Sequence, residues 1–350
     1  MKSLFEMPFE TIILYQKLKI KEELNKRTKI YLDTNYWINI ADAKASSNDK
    51  FLKLYNLLSE KVTSGKIICP VSNVNFIEIL KQTHNSRLRV ASVFDELSNL
   101  ISIDLNHILL MEDILLIQSL NSSESVLSFE KIPIWTFAAF IFGEISISGL
   151  DLNQSGNEKF KYTLFNKIKE QTYTEILNTL SNSPAKHSSF RELAHNENET
   201  SEKIKQYAKA INKKPSWAQI YSFALSGNII NSKEKILKLI EELKVPEPNI
   251  TFENILKKTA NVQKLDQYIP SRKIISGIHA LYSYDSTRIY EPNDFEDFLH
   301  SCLALPYYDI FFTDKSNAKI LTSDLLSFDK IYNCKIEYNL EKCIEIIESI

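Results

Sequence analysis

The chain is short of cysteine, of any net charge and of long apolar runs, and each shortage closes off a class of protein. Only 4 cysteines occur in 350 residues. Cys69, Cys302, Cys334 and Cys343 stand far apart, without CxxC or Cys/His spacing and mostly among apolar neighbours. That pattern excludes a zinc module and a disulfide framework, and it predicts buried thiols in a reducing, cytoplasmic setting. With 42 Lys and Arg against 44 Asp and Glu, the formal charge is -2, so bulk charge does not mark a nucleic-acid binder. The one stretch that resembles a membrane span, Ile132 to Gly143, has 12 residues and is followed at once by Glu144. Crossing hydrocarbon takes roughly 20 residues, so the run is expected to be a buried core helix, with no membrane partner. Glu6 and Glu10 interrupt the apolar start of the chain, so no signal peptide is expected. No fixed repeat period is evident, which sets aside a helical solenoid.

What is present is length enough for two domains, or for one domain carrying a large insertion. The most informative stretch is Lys29-Ile-Tyr-Leu-Asp33-Thr-Asn35. Its β-branched, aromatic and aliphatic residues predict a buried strand, and Asp33, Thr34 and Asn35 are turn and capping types that end it. In an open parallel sheet the C-terminal strand ends form the ligand edge, so Asp33 is a candidate site residue. A helix is expected before this strand, from Pro8 to Asn25, and another after it, from about Asn48 through Ser59, with Gly65 closing it. A second strand is expected at Lys66 to Pro70. Ser72 or Asn73 would then cap a helix that carries Glu78 on its second turn. A glutamate among Phe76, Ile77, Ile79 and Leu80 is poorly placed for a solvent role, and it is expected to face the strand edge beside Asp33. From about Asn99 to Tyr290 the chain reads almost wholly helical, broken at Gly149 to Gly156, Pro184, Asn212 to Pro215 and Pro246 to Pro248.

The last segment permits a geometric argument. Asn293 or Asp294 would cap a helix running to about Leu305, and Asp309 to Thr313 reads as a strand that ends on Asp314. In a right-handed βαβ unit the helix leaves the ligand edge and the strand returns to it. Asp297 to Leu305 spans about 12 Å at helical rise, and Asp309 to Asp314 about 16 Å at strand rise. Asp297 and Asp314 can therefore meet, while Asp309 falls at the opposite strand end and takes a turn or capping role. Asp294, one turn before Asp297, reads equally as a cap or as a direct or water-mediated metal ligand. His300, three residues after Asp297, reads first as a polar helix-face residue and second as part of the site lining. Beyond Asp314 a helix near Ser316 to Thr322, a strand around Cys334 to Tyr338 and a closing helix from Leu340 to about Ile347 are expected.

In Asp33-Thr34-Asn35, in Glu78, in Asp294 and Asp297, and in Thr313-Asp314, the chain resembles the PIN-domain family of metal-dependent nucleases. The resemblance covers about residues 28 to 98 and 291 to 350. It implies an α/β fold with a PIN-like parallel sheet flanked by helices, interrupted here by a large all-helical insertion. The corresponding units are 1–98, the insertion 99–290, and 291–350. It implies an endoribonuclease that binds Mg²⁺ or Mn²⁺ through Asp33, Glu78, Asp297 and Asp314, with Asn35, Asp294 and Thr313 in support. The chemistry agrees, because hard divalent cations take carboxylate oxygens, activate water and neutralise a scissile phosphate. With no partner lysine, four clustered carboxylates would repel one another without a cation. Two other readings stay open: a degenerate fold of this type acting as an RNA-binding or assembly module, and a phosphatase of the haloacid-dehalogenase type. The second needs an acid at position 35, where this chain has Asn35. Toxin, phage-defence and RNA-processing settings are all compatible with the resemblance.

Charge is divided unevenly. Residues 151 to 290 hold 21 Lys and Arg against 15 Asp and Glu, which leaves 21 against 29 for the rest of the chain. An RNA backbone would therefore be gripped by the insertion, first at Lys203, Lys205, Lys209, Lys213 and Lys214, with Tyr207, Trp217 and Tyr221 as stacking surfaces. The competing expectation for that surface is a homo-oligomer contact or a protein partner.

Overall fold

The computed structural model describes residues 9–46, 49–121, 132–142, 158–180, 195–199, 202, 206, 215–243, 251–259, 268–285 and 287–350. In chain order the first half contains α1 (Phe9–Leu24), β1 (Thr28–Leu32), α2 (Thr34–Ser46), α3 (Asp49–Thr63), β2 (Ile67–Ile68), β3 (Val71–Ser72), α4 (Asn73–Ile79), α5 (His84–Ser98), β4 (Ile101–Ile103), α6 (Leu105–Asn121) and β5 (Trp135–Phe137). The second half contains α7 (Glu158–Lys169), α8 (Tyr173–Thr179), α9 (Trp217–Asn231), α10 (Lys233–Glu242), α11 (Phe252–Thr259), α12 (Pro270–Tyr284), α13 (Asp294–Tyr307), β6 (Ile310–Phe312), α14 (Lys315–Leu321), α15 (Phe328–Ile331), β7 (Lys335–Glu337) and α16 (Leu340–Glu348).

The fold is α/β, with a four-stranded parallel sheet in the order β2-β1-β6-β7. Strand alternation builds a core on each face. Tyr31, Ile68 and Phe311 point into one core with Phe295, Phe298 and Leu303 of α13 and Ile274 and Ile278 of α12. Ile30, Leu32, Ile67, Ile310 and Phe312 point into the other, with Trp37 and Ile40 of α2, Leu54 and Leu58 of α3, Phe94 of α5 and Ile347 of α16. A sheet covered on both faces can carry the nearly continuous apolar strands seen here. No helix among the described residues is long and apolar enough to cross a membrane.

Three expectations are corrected. Thr34 to Ser46 is a helix, α2, that the sequence reading passed over; its buried Tyr36, Trp37, Ile40 and Ala41 supply the inward stripe. The strand after Gly65, whose φ of 74° ends α3, is split. Ile67 and Ile68 pair with β1, whereas Val71 and Ser72 pair with β4 in a second sheet, β3-β4-β5. Pro70, which has no N–H to give a ladder, lies between the two pieces. Finally, residues 99–290 are not all helical. Asn99, at φ 49°, turns the chain out of α5 into β4. Trp135 to Phe137, inside the run expected to be a core helix, pairs antiparallel with β4 instead, and Ala138–Phe140 follows as a 3₁₀ turn. A short apolar run rich in Ile, Trp, Thr and Phe is equally readable as strand or helix, and here pairing with β4 decides.

Candidate metal centre

β1 and β6 are the two inner strands of the main sheet, and both end at the same edge. Their register sets Leu32 beside Phe312, and the Asp33 N–H continues the ladder to the Phe312 carbonyl at 2.9 Å. Asp33 is therefore the first residue past β1, with its carbonyl accepting the N–H groups of Tyr36 and Trp37 at the start of α2. One residue further along the neighbouring strand, Asp314 caps α14, its Oδ1 accepting from Ser316 N at 2.5 Å and Asn317 N at 2.9 Å. Asp297 comes from the first turn of α13. One carboxylate oxygen from each of Asp33, Asp297 and Asp314 lies within 4.8 Å of the others, so the helix-and-strand arithmetic holds.

Neutral side chains hold this arrangement. The Thr313 hydroxyl donates to Asp33 Oδ2 at 2.9 Å, as its expected supporting role requires, and accepts from Asn317 Nδ2 at 3.1 Å. Ser301 Oγ donates to the Asp297 carbonyl at 2.7 Å. The carboxylates pay electrostatically for their closeness. Burial first, then the charges of Asp33 and Asp314, push the Asp297 carboxyl up to about 8. Asp33, 3% exposed, is also raised, chiefly by burial, with His300 opposing and Glu78 and Asp314 adding to the shift.

Glu78 lies on the other side of Asp33. Together with Asp33 and His300 it forms a second group whose ligand atoms fall within 4.8 Å. Its Oε2 receives the Thr34 hydroxyl and stands 2.6 Å from His300 Nε2. Burial acts to raise the Glu78 carboxyl, but His300, Thr34 and Lys81 outweigh it and hold it below its ordinary value. The expectation that the acids have no lysine partner is thus corrected: Lys81, one turn beyond Glu78, also pairs with Glu296 of α13.

Two supporting residues lie outside both carboxylate groups, Asn35 and Asp294, the second in the cap or turn role that is one of its two readings. Asn35 is exposed and its carbonyl accepts from Asn39 Nδ2 at 2.7 Å, so its neighbour Thr34 is the residue that meets Glu78. Asp294 serves the turn before α13, its Oδ2 accepting from Glu291 N at 2.8 Å, and it belongs to neither carboxylate group. Asp309 lies at the opposite strand end, as the register argument required, accepting Lys29 N at 2.7 Å and Lys29 Nζ at 2.8 Å.

His300 is the residue that sequence reasoning undervalued. It is fully buried and bridges Glu78 and Tyr31. The signal was its position three residues after Asp297, which puts both on one helix face. The lysines 203, 205, 209, 213 and 214, and Tyr207, lie outside the described residues. Trp217 and Tyr221 pack against each other, Trp217 also meets Tyr284, and the Tyr221 hydroxyl donates to the Lys273 carbonyl, so both rings are engaged inside the fold. In comparisons with protein-family models, curated proteins and solved structures, nothing matches this chain.

Proposed function

We propose that this chain is a Mg²⁺- or Mn²⁺-dependent endoribonuclease with a PIN-like nuclease fold, hydrolysing RNA phosphodiester bonds at the carboxylate edge of its parallel sheet. The observation that carries the reading is the convergence of Asp33, Asp297 and Asp314 from three separate elements to within 4.8 Å. A purely structural role gives no reason for such closeness, because each acid disfavours ionisation of the next. A set of carboxylate oxygens suits a hard divalent cation. Such an ion, when bound, supplies activation of water and neutralisation of phosphate charge.

The protein's own part is positioning. Thr313 orients Asp33, the N-terminus of α14 orients Asp314, and Ser301, accepting from Asn317 Nδ2 of α14, ties α13 beside them. β4 and β5 carry residues beyond 98 into the second sheet, and in this reading they are counted with the nuclease unit rather than with the helical insertion. Purified full-length chain incubated with single-stranded and structured RNA, and with matched DNA, tests the reading. Cleavage with Mn²⁺ or Mg²⁺ that stops with EDTA is expected. RNA binding without cleavage under those conditions would make the chain an RNA-binding or assembly module instead.

A further inference from the structure

The hydrogen bonds around the part-buried Glu78 close into a ring of six side chains. Ser72 Oγ donates to Asn75 Oδ1 at 2.8 Å, and the same Oδ1 accepts the Ser72 N–H at 3.2 Å, which fixes the orientation of the amide. Asn75 Nδ2 then donates to Thr34 Oγ1 at 3.2 Å, and the Thr34 hydroxyl donates to Glu78 Oε2. On the other arc, His300 Nε2 stands 2.6 Å from Glu78 Oε2, His300 Nδ1 2.6 Å from Tyr31 Oη, and Tyr31 Oη 2.7 Å from Ser72 Oγ.

The hydrogens in this ring can be counted. Ser72 has one hydroxyl hydrogen, and Asn75 takes it. The Tyr31 hydroxyl must then supply the bond to Ser72, which leaves it no hydrogen for His300. His300 Nδ1 therefore carries the hydrogen between itself and Tyr31. Between His300 Nε2 and Glu78 Oε2 there must be one hydrogen more. Whichever of those two atoms holds it, Glu78 and His300 together carry no net charge. Glu78 Oε2 already accepts from Thr34 and faces His300, so both its charge and this oxygen's hydrogen-bonding capacity are used within the protein.

The two carboxylate groups thus differ in kind, although Asp33 belongs to both. Asp33, Asp297 and Asp314 form a set of acids with no cationic side chain among them. In the group of Asp33, Glu78 and His300 the hydrogen shared by Glu78 and His300 already balances the Glu78 charge, with His300 Nε2 3.9 Å from Asp33 Oδ1. We propose that the site holds one divalent cation, on Asp33, Asp297 and Asp314, and that His300 is a positioning residue whose ring fills the place on Glu78 that a second ion would otherwise take. The inference rests on the nuclease reading only in treating the three aspartates as a cation site.

Mn²⁺ titrated into the full-length protein without RNA, followed by calorimetry, tests it. The wild type should bind one Mn²⁺ per chain. Glu78→Gln should also bind one, weakened less than about 10-fold, whereas Asp314→Asn should lose more than about 100-fold in affinity. His300→Ala should expose the Glu78 charge and bind two Mn²⁺, and the double variant His300→Ala/Glu78→Gln should return to one. That dependence on Glu78 is a readout that a merely structural role for His300 would not produce. Two Mn²⁺ in the wild type, none at all, or a Glu78→Gln loss as large as that of Asp314→Asn would overturn the proposal. So would a folded His300→Ala that still binds one. If His300→Ala does not fold, the wild type and Glu78→Gln decide. A protein that cuts RNA with two Mn²⁺ bound removes this inference and leaves the nuclease; one Mn²⁺ without cleavage does the reverse.

Discussion

At the scale of single residues, Asp297 carries the clearest energetic signature of the site. Its carboxyl is pushed to about 8, first by burial and then by Asp33 and Asp314, whereas in an unfolded chain an aspartate titrates near about 3.9. Between those values the unfolded state binds fewer protons at this position than the folded state. The metal-free fold therefore loses stability as pH rises through that window. Urea unfolding in EDTA at pH 5 and pH 8 should show the wild type losing more stability on the alkaline side than Asp297→Asn, and the difference between the two proteins isolates this one group. Mn²⁺ at pH 8 should raise the wild-type midpoint and leave the variant's nearly unmoved. Equal pH dependence in both proteins would contradict the environment described for Asp297. The aspartates were legible in the sequence because each ends a strand or opens a helix, positions that turn chemistry and element length identify. Tyr31, Thr34, Ser72 and Asn75 were not legible as partners, since a hydroxyl or an amide on a strand or in a capping box looks the same whether or not a histidine from α13 closes a ring with it.

The elements matter through how closely they approach. Helix α12 runs against α15 at Gly277, where an added Cβ would come within 2.7 Å of the Phe328 ring and 3.2 Å of Leu326 and Tyr221 side chains. Its N-terminus is capped from another helix: the buried Glu112 carboxylate on α6 accepts Ser271 N at 2.7 Å and Arg272 N at 3.2 Å. Arg272 in turn meets the buried Asp113 at 2.7 Å. Overpacking at such a contact typically costs about 1–3 kcal/mol. Gly277→Ala should therefore lower the free energy of unfolding by that order while leaving the Mn²⁺ stoichiometry unchanged; a stability equal to wild type would mean that α12 and α15 are not in contact there. Helix positions were mostly readable from apolar spacing, as with the closing helix α16, expected at Leu340 to Ile347 and found at Leu340–Glu348. β4 and β5 escaped because three-residue strands are made by pairing with one another, and pairing partners 30 or more residues apart leave no local periodicity.

For the whole molecule, the proposed nuclease function raises the question of how an acidic portion would meet a polyanion. The portion outside 151 to 290 holds 21 basic against 29 acidic residues, and the portion inside holds 21 against 15. The insertion is therefore expected to contribute most of the grip on RNA. Replacing Lys203, Lys205, Lys209, Lys213 and Lys214 with Gln should weaken RNA binding and flatten its dependence on salt, while single-turnover cleavage at saturating RNA stays close to wild type. Unchanged affinity and salt slope would assign that surface to a protein partner or to another copy of the chain. The central claim, that three aspartates distant in sequence hold one reacting centre, is tested most directly by comparing Asp314→Asn with Asp309→Asn in Mn²⁺-dependent single-turnover cleavage of RNA. The two residues bracket the same short strand, one in the carboxylate group and the other bonded to Lys29 at the far end. Asp314→Asn should abolish cleavage and remain folded, whereas Asp309→Asn should cleave at nearly the wild-type rate and lose about 1 kcal/mol of stability. Full activity in Asp314→Asn, or complete loss in a stable Asp309→Asn, would contradict the account.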